Sequence, residues 1–459
     1  MTDTPLLTLL LAAGKGLRMR SDLPKVLHGI GGRSMLAHTL DAARAAGASK
    51  LALVVGPEVG SGLGSVSGPV RTEATRLAPD IEIFEQPAPS GTASAVLAAR
   101  AALDRHQGDV LVMFADTPLV EAATLRKLTA TLDGGANVAV LAFEPPDATG
   151  YGRLIADTSG RIVAIREHKD ASEAERKIGL CAAGAMAFRV PALSALLARI
   201  SNNNASGEYY LTDAIAIAAG EGLSVKPVLC SEQEAAGINT REQLATVEAA
   251  FQARARRQAM QAGATLIAPE TVWFSFDTAI GRDVLIEPNV FFGPGVVVED
   301  GVQILANCHM TGTRIRKGAR VGPFARLRPG ADIGAEVHIG NFVEVKNATV
   351  EAGAKANHLS YIGDGRVGEG ANIGAGTIFC NYDGYAKHFT DVGKFVFVGS
   401  NTSLVAPVKI GEGAYIGSGS VITKNVTPGA LALERSTQEE RPGWAAKFKL
   451  LMQKRKKTT

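Results

Sequence analysis

The chain has 459 residues, 46% of them hydrophobic, and a formal net charge of +3 at pH 7. This length exceeds what one compact core usually holds, so the sequence predicts at least two domains and excludes a small single-domain module. The hydrophobic content is ordinary for a globular protein, and the small net charge gives no indication of a nucleic-acid partner, so none is expected.

Cysteine spacing and the apolar start of the chain indicate the cellular compartment of the protein. The four cysteines lie far apart, which in a chain of this size favours free thiols in a reducing cytoplasm. They are Cys181, Cys230, Cys308 and Cys380. The apolar start, residues 4–13, follows Asp3, where a signal peptide carries basic residues. No apolar run reaches the length that spans a membrane. We expect a cytoplasmic protein without membrane insertion.

The first 230 residues alternate strand-like and helix-like segments. Buried strands are predicted at residues 6–11, 51–55, 81–84, 110–114 and 138–143. Alanine-rich helices are predicted between them, for example at 35–46 and 92–103. This alternation favours a mostly parallel sheet covered by helices on both faces. Ligands bind at the carboxyl ends of the strands in such a fold.

The first predicted strand runs into a loop of small and basic residues. The loop contains Leu11, Ala12, Ala13, Gly14, Lys15 and Arg18. Small residues let the backbone approach a phosphate, and Lys15 and Arg18 supply charge. Its spacing matches neither the dinucleotide fingerprint nor the Walker loop. A second lysine, Lys25, follows in the sequence Asp-Leu-Pro-Lys. Together these segments resemble the signature of sugar-1-phosphate nucleotidyltransferases.

Further segments match this family in the same order. Gln86, Gly91 and Thr92 resemble its uracil-reading loop, and the family's magnesium-binding aspartate corresponds to Asp116, after Phe114 and Ala115. A carboxylate just past a strand end suits Mg²⁺, which needs few protein ligands when phosphates supply the rest. Taken alone, Asp116 is better explained as a helix or turn cap before Pro118, and the matching segments around it favour the metal ligand.

Three later positions complete the resemblance in this half. Gly152 and Glu167 match the residues that contact the amino sugar, and Asn239 matches the second magnesium ligand. Asn239 and Glu242 also have the spacing of a capping box for a helix predicted at 240–261, which reads as a rigid linker. Ala182 replaces a family asparagine that contacts the acetamido sugar, and Ala115 stands where glycine is common.

The second half repeats every six residues. Aliphatic or aromatic residues recur at Ile280, Ile286, Phe292, Val298 and Ile304, then, after a one-residue slip, from Ile315 to Val345, and again from Val392 to Ile422. A short strand and a tight turn repeated around a triangular prism explains this period, with about 18 residues in each coil. The pattern resembles the left-handed parallel β-helix of hexapeptide acyltransferases.

Departures from the repeat indicate chemistry in this half. Arg328 and Lys346 place two cations one corner apart with no acidic partner in the repeat, which suits a phosphate. His358 lies where the repeat is disturbed, and transfer of an acyl group to an amine needs a base of near-neutral pKa. The largest insertion, residues 379–390, is expected on the binding face.

Together the halves are similar to the bacterial enzymes that fuse N-acetylglucosamine-1-phosphate uridyltransferase to glucosamine-1-phosphate acetyltransferase. The resemblance implies UTP, acetyl-CoA and glucosamine-1-phosphate as substrates, Mg²⁺ as cofactor, and a homotrimer with acetyl-transfer sites between adjacent prisms. It implies sugar contacts from Tyr361 and Asn372. The acetyl-CoA contacts it implies are Ala375, Asn381, Tyr382, Ser400, Ser418 (alanine is common there) and Arg435.

The predicted fold class is an α/β nucleotidyltransferase, Rossmann-like with a mostly parallel mixed sheet, followed by a left-handed parallel β-helix of hexapeptide repeats. The predicted limits are 1–238 for the first domain, 239–263 for the linker helix and 264–459 for the solenoid with its tail. Three alternatives remain: a monofunctional nucleotidyltransferase with a scaffolding solenoid, a zinc enzyme of the hexapeptide carbonic-anhydrase type, and a purely structural solenoid.

Overall fold

A computed structural model describes residues 4–14, 16–57, 67–88, 90–189 and 192–456. Lys15 therefore lies outside the described residues. The chain divides into two compact units, Met1–Ala255 and Arg256–Thr459. The predicted fold class is confirmed in both, as the following paragraphs describe, while the three predicted domain limits stay a prediction.

The first unit is built on one mixed sheet. Across this sheet the strands are ordered Val225–Leu229, Val138–Phe143, Cys181–Arg189, Asp109–Phe114, Leu6–Ala12, Lys50–Val55 and Glu82–Glu85. Neighbouring strands are parallel except at Cys181–Arg189, which is antiparallel to the strand on either side. A hairpin of Arg153–Ala156 and Ile162–Arg166 extends the sheet beside Cys181, and Gly29–Ile30 pairs with Arg33–Ser34.

Helices cover both faces of this sheet. They are Met35–Ala45, Ser67–Leu77, Thr92–Ala98, Arg100–Arg105, Ala122–Asp133, Glu173–Arg176, Ala192–Leu197, Asp213–Gly220 and Glu232–Ala235, with short 3-10 turns at Leu17–Met19 and Lys25–Leu27. Alternate residues of the first strand enter different cores: Leu10 packs in one and Leu9 in the other. The helix predicted at 92–103 is interrupted at Ala99, whose backbone (φ −90°, ψ 18°) leaves the helical region.

The helix Arg241–Gln261 is more than a linker. Its residues Val247 and Phe251, one turn apart, are buried in a small core with Ile30 and Met35 of the first unit. The first half of the helix is thus part of the first unit's own packing, and the role of the whole helix as a rigid linker stays a prediction. A fragment truncated before this helix would lose that core.

The second unit is a parallel β-helix with three faces. The first face comprises Thr265–Leu266, Leu285–Ile286, Gln303–Ile304, Arg320–Val321, His338–Asn341, Lys355–His358, Asn372–Ile373, Phe397–Val398, Tyr415–Ile416 and Leu431–Ala432. The second comprises Phe291–Phe292, His309–Met310, Arg326–Leu327, Ile378–Cys380, Ser403–Val405 and Val421–Ile422. The third comprises Ala279–Ile280, Val297–Val298, Arg314–Ile315, Asp332–Ile333, Thr390–Val392 and Val408–Ile410.

Two long strands, Glu344–Val350 and Tyr361–Val367, turn the corner between the second and third faces. Pairing offsets give the coil lengths. Leu285 pairs with Gln303, 18 residues on, and Gln303 pairs with Arg320 after 17, which is the predicted slip. Asn372 pairs with Phe397 after 25 residues, because this coil holds the insertion predicted at 379–390.

A short 3-10 turn at Pro269–Thr271 precedes the coils, and the helix Trp444–Lys456 follows them. In the described ranges, none of the helices combines the length and the apolar content that crossing a bilayer requires.

Candidate active sites

A cleft lies at the carboxyl ends of the strands Leu6–Ala12 and Asp109–Phe114. The predicted residues that line it are Leu11, Ala12, Ala13, Gly14, Lys25, Gln86, Gly91, Thr92, Phe114 and Asp116. Val26, Ala95 and Glu208 also line it and were not predicted. Five predicted residues do not line it: Arg18 is exposed on its 3-10 turn, Ala115 is fully buried, and the positions of Gly152, Glu167 and Asn239 are described below. The cleft occupies the position that a parallel sheet predicts for a ligand.

One cation, the Lys25 ammonium, contacts two side-chain oxygens in this cleft. The Lys25 ammonium forms an ion pair with the Asp116 carboxylate and donates a 3.1 Å hydrogen bond to Oδ1 of Asn239. The structure thus brings together the two predicted magnesium ligands, although they lie far apart in the sequence. A carboxylate and an amide oxygen form a hard donor set, which fits Mg²⁺ when phosphates complete the coordination.

The capping alternative for Asn239 is wrong. Thr240 accepts the hydrogen bond from the backbone N–H of Gln243 at 3.2 Å, so Thr240 caps the helix Arg241–Gln261. The backbone N–H of Asn239 donates to the Gln243 side chain at 2.7 Å. Because Thr240 does the capping, the Asn239 side chain is available to face Lys25.

The predicted uracil-reading loop is held against a distant segment. Gln86 donates a 3.1 Å hydrogen bond to the carbonyl oxygen of Gly91. Gly91 has φ +110°, and a Cβ there would clash with the backbone of Tyr209, so only glycine fits. The Thr92 hydroxyl accepts a 2.9 Å hydrogen bond from the backbone N–H of Leu211. These contacts fix the loop before any ligand binds.

The predicted sugar contacts form a group beside the hairpin Arg153–Ala156 and Ile162–Arg166. A Cβ placed at Gly152 would lie 3.0 Å from the Ile165 side chain and 3.5 Å from Oε1 of Glu167, so the glycine lets its loop pack closely beside that carboxylate. The Thr212 hydroxyl, not predicted, donates a 2.9 Å hydrogen bond to Glu167. Burial raises the pKa of Glu167, against the opposing effect of this hydrogen bond. Ala182 lies next to Gly152, whose carbonyl accepts its backbone N–H.

In the second unit, predicted residues form a ladder along the corner between the first and second faces. Asn341 pairs with His358 on the next coil, and Oδ1 of Asn341 lies 2.8 Å from Nδ1 of His358. The backbone carbonyls of His358, Ala375 and Ser400 each accept a hydrogen bond from a backbone N–H of the next coil, next to Ala375, Ser400 and Ser418 respectively. Arg435 donates a 2.9 Å hydrogen bond to the Ser418 carbonyl. Four of the implied acetyl-CoA residues, Ala375, Ser400, Ser418 and Arg435, therefore lie on successive coils beyond the predicted base.

The predicted phosphate-binding pair needs two corrections. Arg328 and Lys346 lie on one face on adjacent coils rather than one corner apart, since Leu327 pairs with Val345. Arg328 also has an acidic partner: it donates a 2.8 Å hydrogen bond to Glu344. Lys346 lies beside Lys387, and that lysine, with Arg328, lowers the pKa of the Lys346 ammonium. A crowded group of cations favours an anionic ligand.

The insertion brings Asn381 onto the same face. Asn381 donates to Asp364, which also accepts a 2.7 Å hydrogen bond from Asn347. Burial raises the pKa of Asp364, but these two hydrogen bonds and the charge of Lys387 outweigh it and leave the pKa below its usual range. The Tyr361 hydroxyl lies 3.4 Å from the amide nitrogen of Asn381.

Two predicted residues stand slightly apart from this group. Tyr382 is exposed, and its hydroxyl donates to the Gly384 carbonyl at 2.6 Å within the insertion. Asn372 is half-buried on the first face, between Lys355 and Phe397 of the adjacent coils. Sequence reasoning did not identify Asn341 and Glu344 as site residues. Both lie about one coil length from a residue that it did identify.

The zinc alternative lacks a ligand set. Among the described residues, no cluster of three or more His, Cys, Asp or Glu side chains is arranged to hold a metal ion. A catalytic zinc needs three such protein ligands.

Comparison with known proteins covers both units. The family described as a MobA-like NTP transferase domain matches residues 8–178, and the bacterial transferase hexapeptide family, six repeats, matches residues 389–424. A protein of Azorhizobium caulinodans named "Bifunctional protein GlmU" is 55% identical over 97% of this chain and 98% of its own length. A protein of the same name from Xanthobacter autotrophicus is 54% identical over 99% and 100%.

Proposed function

We propose residue roles for two reactions in this chain, which belongs to the family of bifunctional GlmU proteins. The chain is a bifunctional transferase. It acetylates glucosamine-1-phosphate with acetyl-CoA, and it transfers UMP from UTP to N-acetylglucosamine-1-phosphate, releasing pyrophosphate. The observation that carries the residue assignment is the meeting of Asp116, Asn239 and Lys25 in the cleft of the first unit.

In uridyl transfer, the phosphate of the sugar attacks the α-phosphorus of UTP and pyrophosphate leaves. Asp116 and Asn239 hold Mg²⁺, which when bound neutralises phosphate charge as it develops. Lys25 contacts both ligands and supplies a second positive charge to the same phosphates. Backbone N–H groups of residues 11–14 cradle the triphosphate at the strand end. Substrate positioning and electrostatic stabilisation thus account for catalysis of this reaction.

The base and the sugar have separate contacts. Gln86, Gly91 and Thr92 read the uracil ring from a loop that the segment at Tyr209 holds in place. Gly152 and Glu167 bind the amino sugar, with the Glu167 carboxylate oriented by Thr212. Ala182 cannot supply a side-chain hydrogen bond there, so we propose a sugar contact weaker by ~0.5–1.5 kcal/mol than an asparagine would make.

In acetyl transfer, His358 takes the proton from the sugar's amino group as it attacks the thioester. The Asn341 side-chain oxygen only accepts hydrogen bonds, so its contact with Nδ1 of His358 holds the proton on that nitrogen. In the neutral imidazole, Nε2 then carries the lone pair that can act as base. Arg328 and Lys346 hold the phosphate, while Tyr361 and Asn372 contact the sugar.

Acetyl-CoA is proposed to follow the corner ladder above His358. The residues that line its path are Ala375, Asn381, Tyr382, Ser400, Ser418 and Arg435. Several act through backbone atoms, which the regular coil spacing exposes in one row. We also propose a cytoplasmic location, supported by the four cysteines, all of which are free thiols.

A homotrimer is proposed because one corner of the prism carries strained, exposed apolar residues. Phe324, Phe342 and Leu359 have φ of +57°, +55° and +52° and are 48%, 56% and 59% exposed. Equivalent positions on other coils hold residues that suit this conformation: Asn289, Asn307, Gly376, Asn401 and Gly419. Bulky residues here cost about 1–3 kcal/mol each. An adjacent prism that buries them beside His358 offsets this cost and completes the acetyl-CoA site.

Replacing Phe342 with asparagine tests the assembly. Asparagine tolerates φ > 0, so the substitution relieves backbone strain and removes only the stacking of Phe342 on Phe324, whose ring centroids are 5.3 Å apart. We expect the variant to dissociate toward monomers and to lose acetyl transfer while retaining uridyl transfer, measured by light scattering and separate assays. Phe395→Asn is the matched control, because Phe395 is exposed with φ +54° on another corner. A Phe342→Asn protein that stays trimeric and active would count against this interface.

The overall function is tested by incubation with glucosamine-1-phosphate, acetyl-CoA, UTP and Mg²⁺, followed by identification of the product by mass. UDP-N-acetylglucosamine is the expected product. If only pre-acetylated sugar phosphate is converted, the solenoid is a scaffold and the monofunctional alternative holds.

A further inference from the structure

Arg153 is a buried charge. Its side chain is among the largest fully buried ones, and the residue is 2% exposed. Within the described ranges, no Asp or Glu forms an ion pair with it. Hydrogen bonds from Thr149 and, to a smaller degree, the charge of Arg153 lower the pKa of Asp147. Burying an unpaired guanidinium is costly, so such a residue calls for a reason.

Backbone carbonyl groups accept the hydrogen bonds of Arg153. The guanidinium donates to the carbonyl oxygen of Tyr151 and, at 3.3 Å, to that of Arg176. Nε of Arg153 is buried without a hydrogen-bond partner. Two carbonyl dipoles only partly compensate a full charge, so the arrangement is not the most stable one available at this position.

The two carbonyls belong to two different segments beside the sugar site, the loop of Tyr151 and the short helix Glu173–Arg176. Tyr151 directly precedes Gly152, the proposed sugar contact. Arg176 in turn donates from its own Nε to the carbonyl oxygen of His168 at 3.4 Å, and His168 directly follows Glu167. A chain of hydrogen bonds therefore runs from the loop of Gly152, through Arg153 and Arg176, to the loop of Glu167.

We propose that Arg153 is the positioning residue of the amino-sugar subsite, because it fixes the loop of Gly152 relative to the loop of Glu167. The inference rests on the proposed sugar-binding roles of those two residues. Gly152 packs closely on the strand that leads to Glu167, since a Cβ there would lie 3.0 Å from the Ile165 side chain and 3.5 Å from Oε1 of Glu167. A small displacement of either loop changes the fit of the sugar but leaves the uracil loop and the metal ligands in place.

The test compares Arg153→Met and Arg153→Lys in the full chain. Methionine preserves much of the volume and removes the charge and both hydrogen bonds, whereas lysine keeps the charge and one donor group. For Arg153→Met we expect the KM for N-acetylglucosamine-1-phosphate to rise about tenfold or more, and the KM for UTP to change less than about twofold. Arg153→Lys should recover part of the loss. Acetyl transfer in the same preparation should be unchanged.

Arg161→Met is the matched control. Arg161 lies in the turn of the same hairpin, where its guanidinium forms an exposed ion pair with Asp157, and both KM values should stay at the wild-type level. Equal increases in both KM values for Arg153→Met, or a fall in kcat and melting temperature with unchanged KM values, would reduce Arg153 to a stabilising residue and overturn the inference. A wild-type protein that forms no UDP-N-acetylglucosamine would refute the proposed function itself.

Discussion

Replacement of His358 by alanine is expected to slow acetyl transfer by roughly 10²- to 10⁴-fold, the usual effect of removing a general base. The amine of the sugar must lose a proton as it attacks the thioester. In this corner of the solenoid, Asn341 accepts a hydrogen bond from Nδ1 of His358, which leaves Nε2 as the nitrogen that can take the proton. Uridyl transfer to pre-acetylated sugar phosphate should continue at the wild-type rate, since its residues lie in the first unit.

The measurement is a thiol-release assay for acetyl transfer, run beside a pyrophosphate-release assay on the same preparation. His309→Ala is a suitable control, because His309 is an exposed histidine of the solenoid that stacks on Phe291 and does not line the cavity that contains His358 and Asn341. Acetylation at the wild-type rate by His358→Ala would exclude His358 as the base.

The repeat period predicted the solenoid well because it reports backbone geometry directly. A residue that must point inward every six positions determines the coil length, the faces and the place of the inserted loop. Side-chain partners are harder to predict. Arg328 was expected to lack an acidic partner, yet Glu344 on the adjacent coil reaches it, and this depends on which way a long side chain leans. Asn341 could have been found by subtracting one coil length from His358.

In the first unit, strand ends were predictable and loop contacts were not. A buried apolar run such as Val138–Phe143 is predicted to be a strand in a fold that alternates strands and helices. The residues that follow such strands lie at the edge of the sheet where ligands bind. By contrast, Thr212 and Glu208 are brought to the site by a segment that carries no periodic pattern. The role of Thr240 as a cap was missed because Asn239, one residue earlier, fits the same pattern.

Asp116→Asn is expected to abolish most uridyl transfer and leave acetyl transfer intact. Losing one charged ligand should cost several kcal/mol of transition-state stabilisation, on the order of 10²-fold or more in rate. The variant also removes the partner of the Lys25 ammonium, so this lysine would be drawn toward the phosphates without being held between two ligands. Both changes act on the phosphate charge and neither reaches the second unit.

The rate should be measured across a range of Mg²⁺ concentrations. If Asp116 is a metal ligand, the variant should need more Mg²⁺ than the wild type for half-maximal rate, an effect that a simple loss of folding does not produce. Asp104→Asn is the control: it makes the same change in charge within the first unit, at an exposed residue that pairs with Arg100 on one helix, and it should behave as the wild type. Equal loss of both activities in Asp116→Asn would instead indicate a folding defect, and an unchanged Mg²⁺ requirement would show that the carboxylate does not bind the metal.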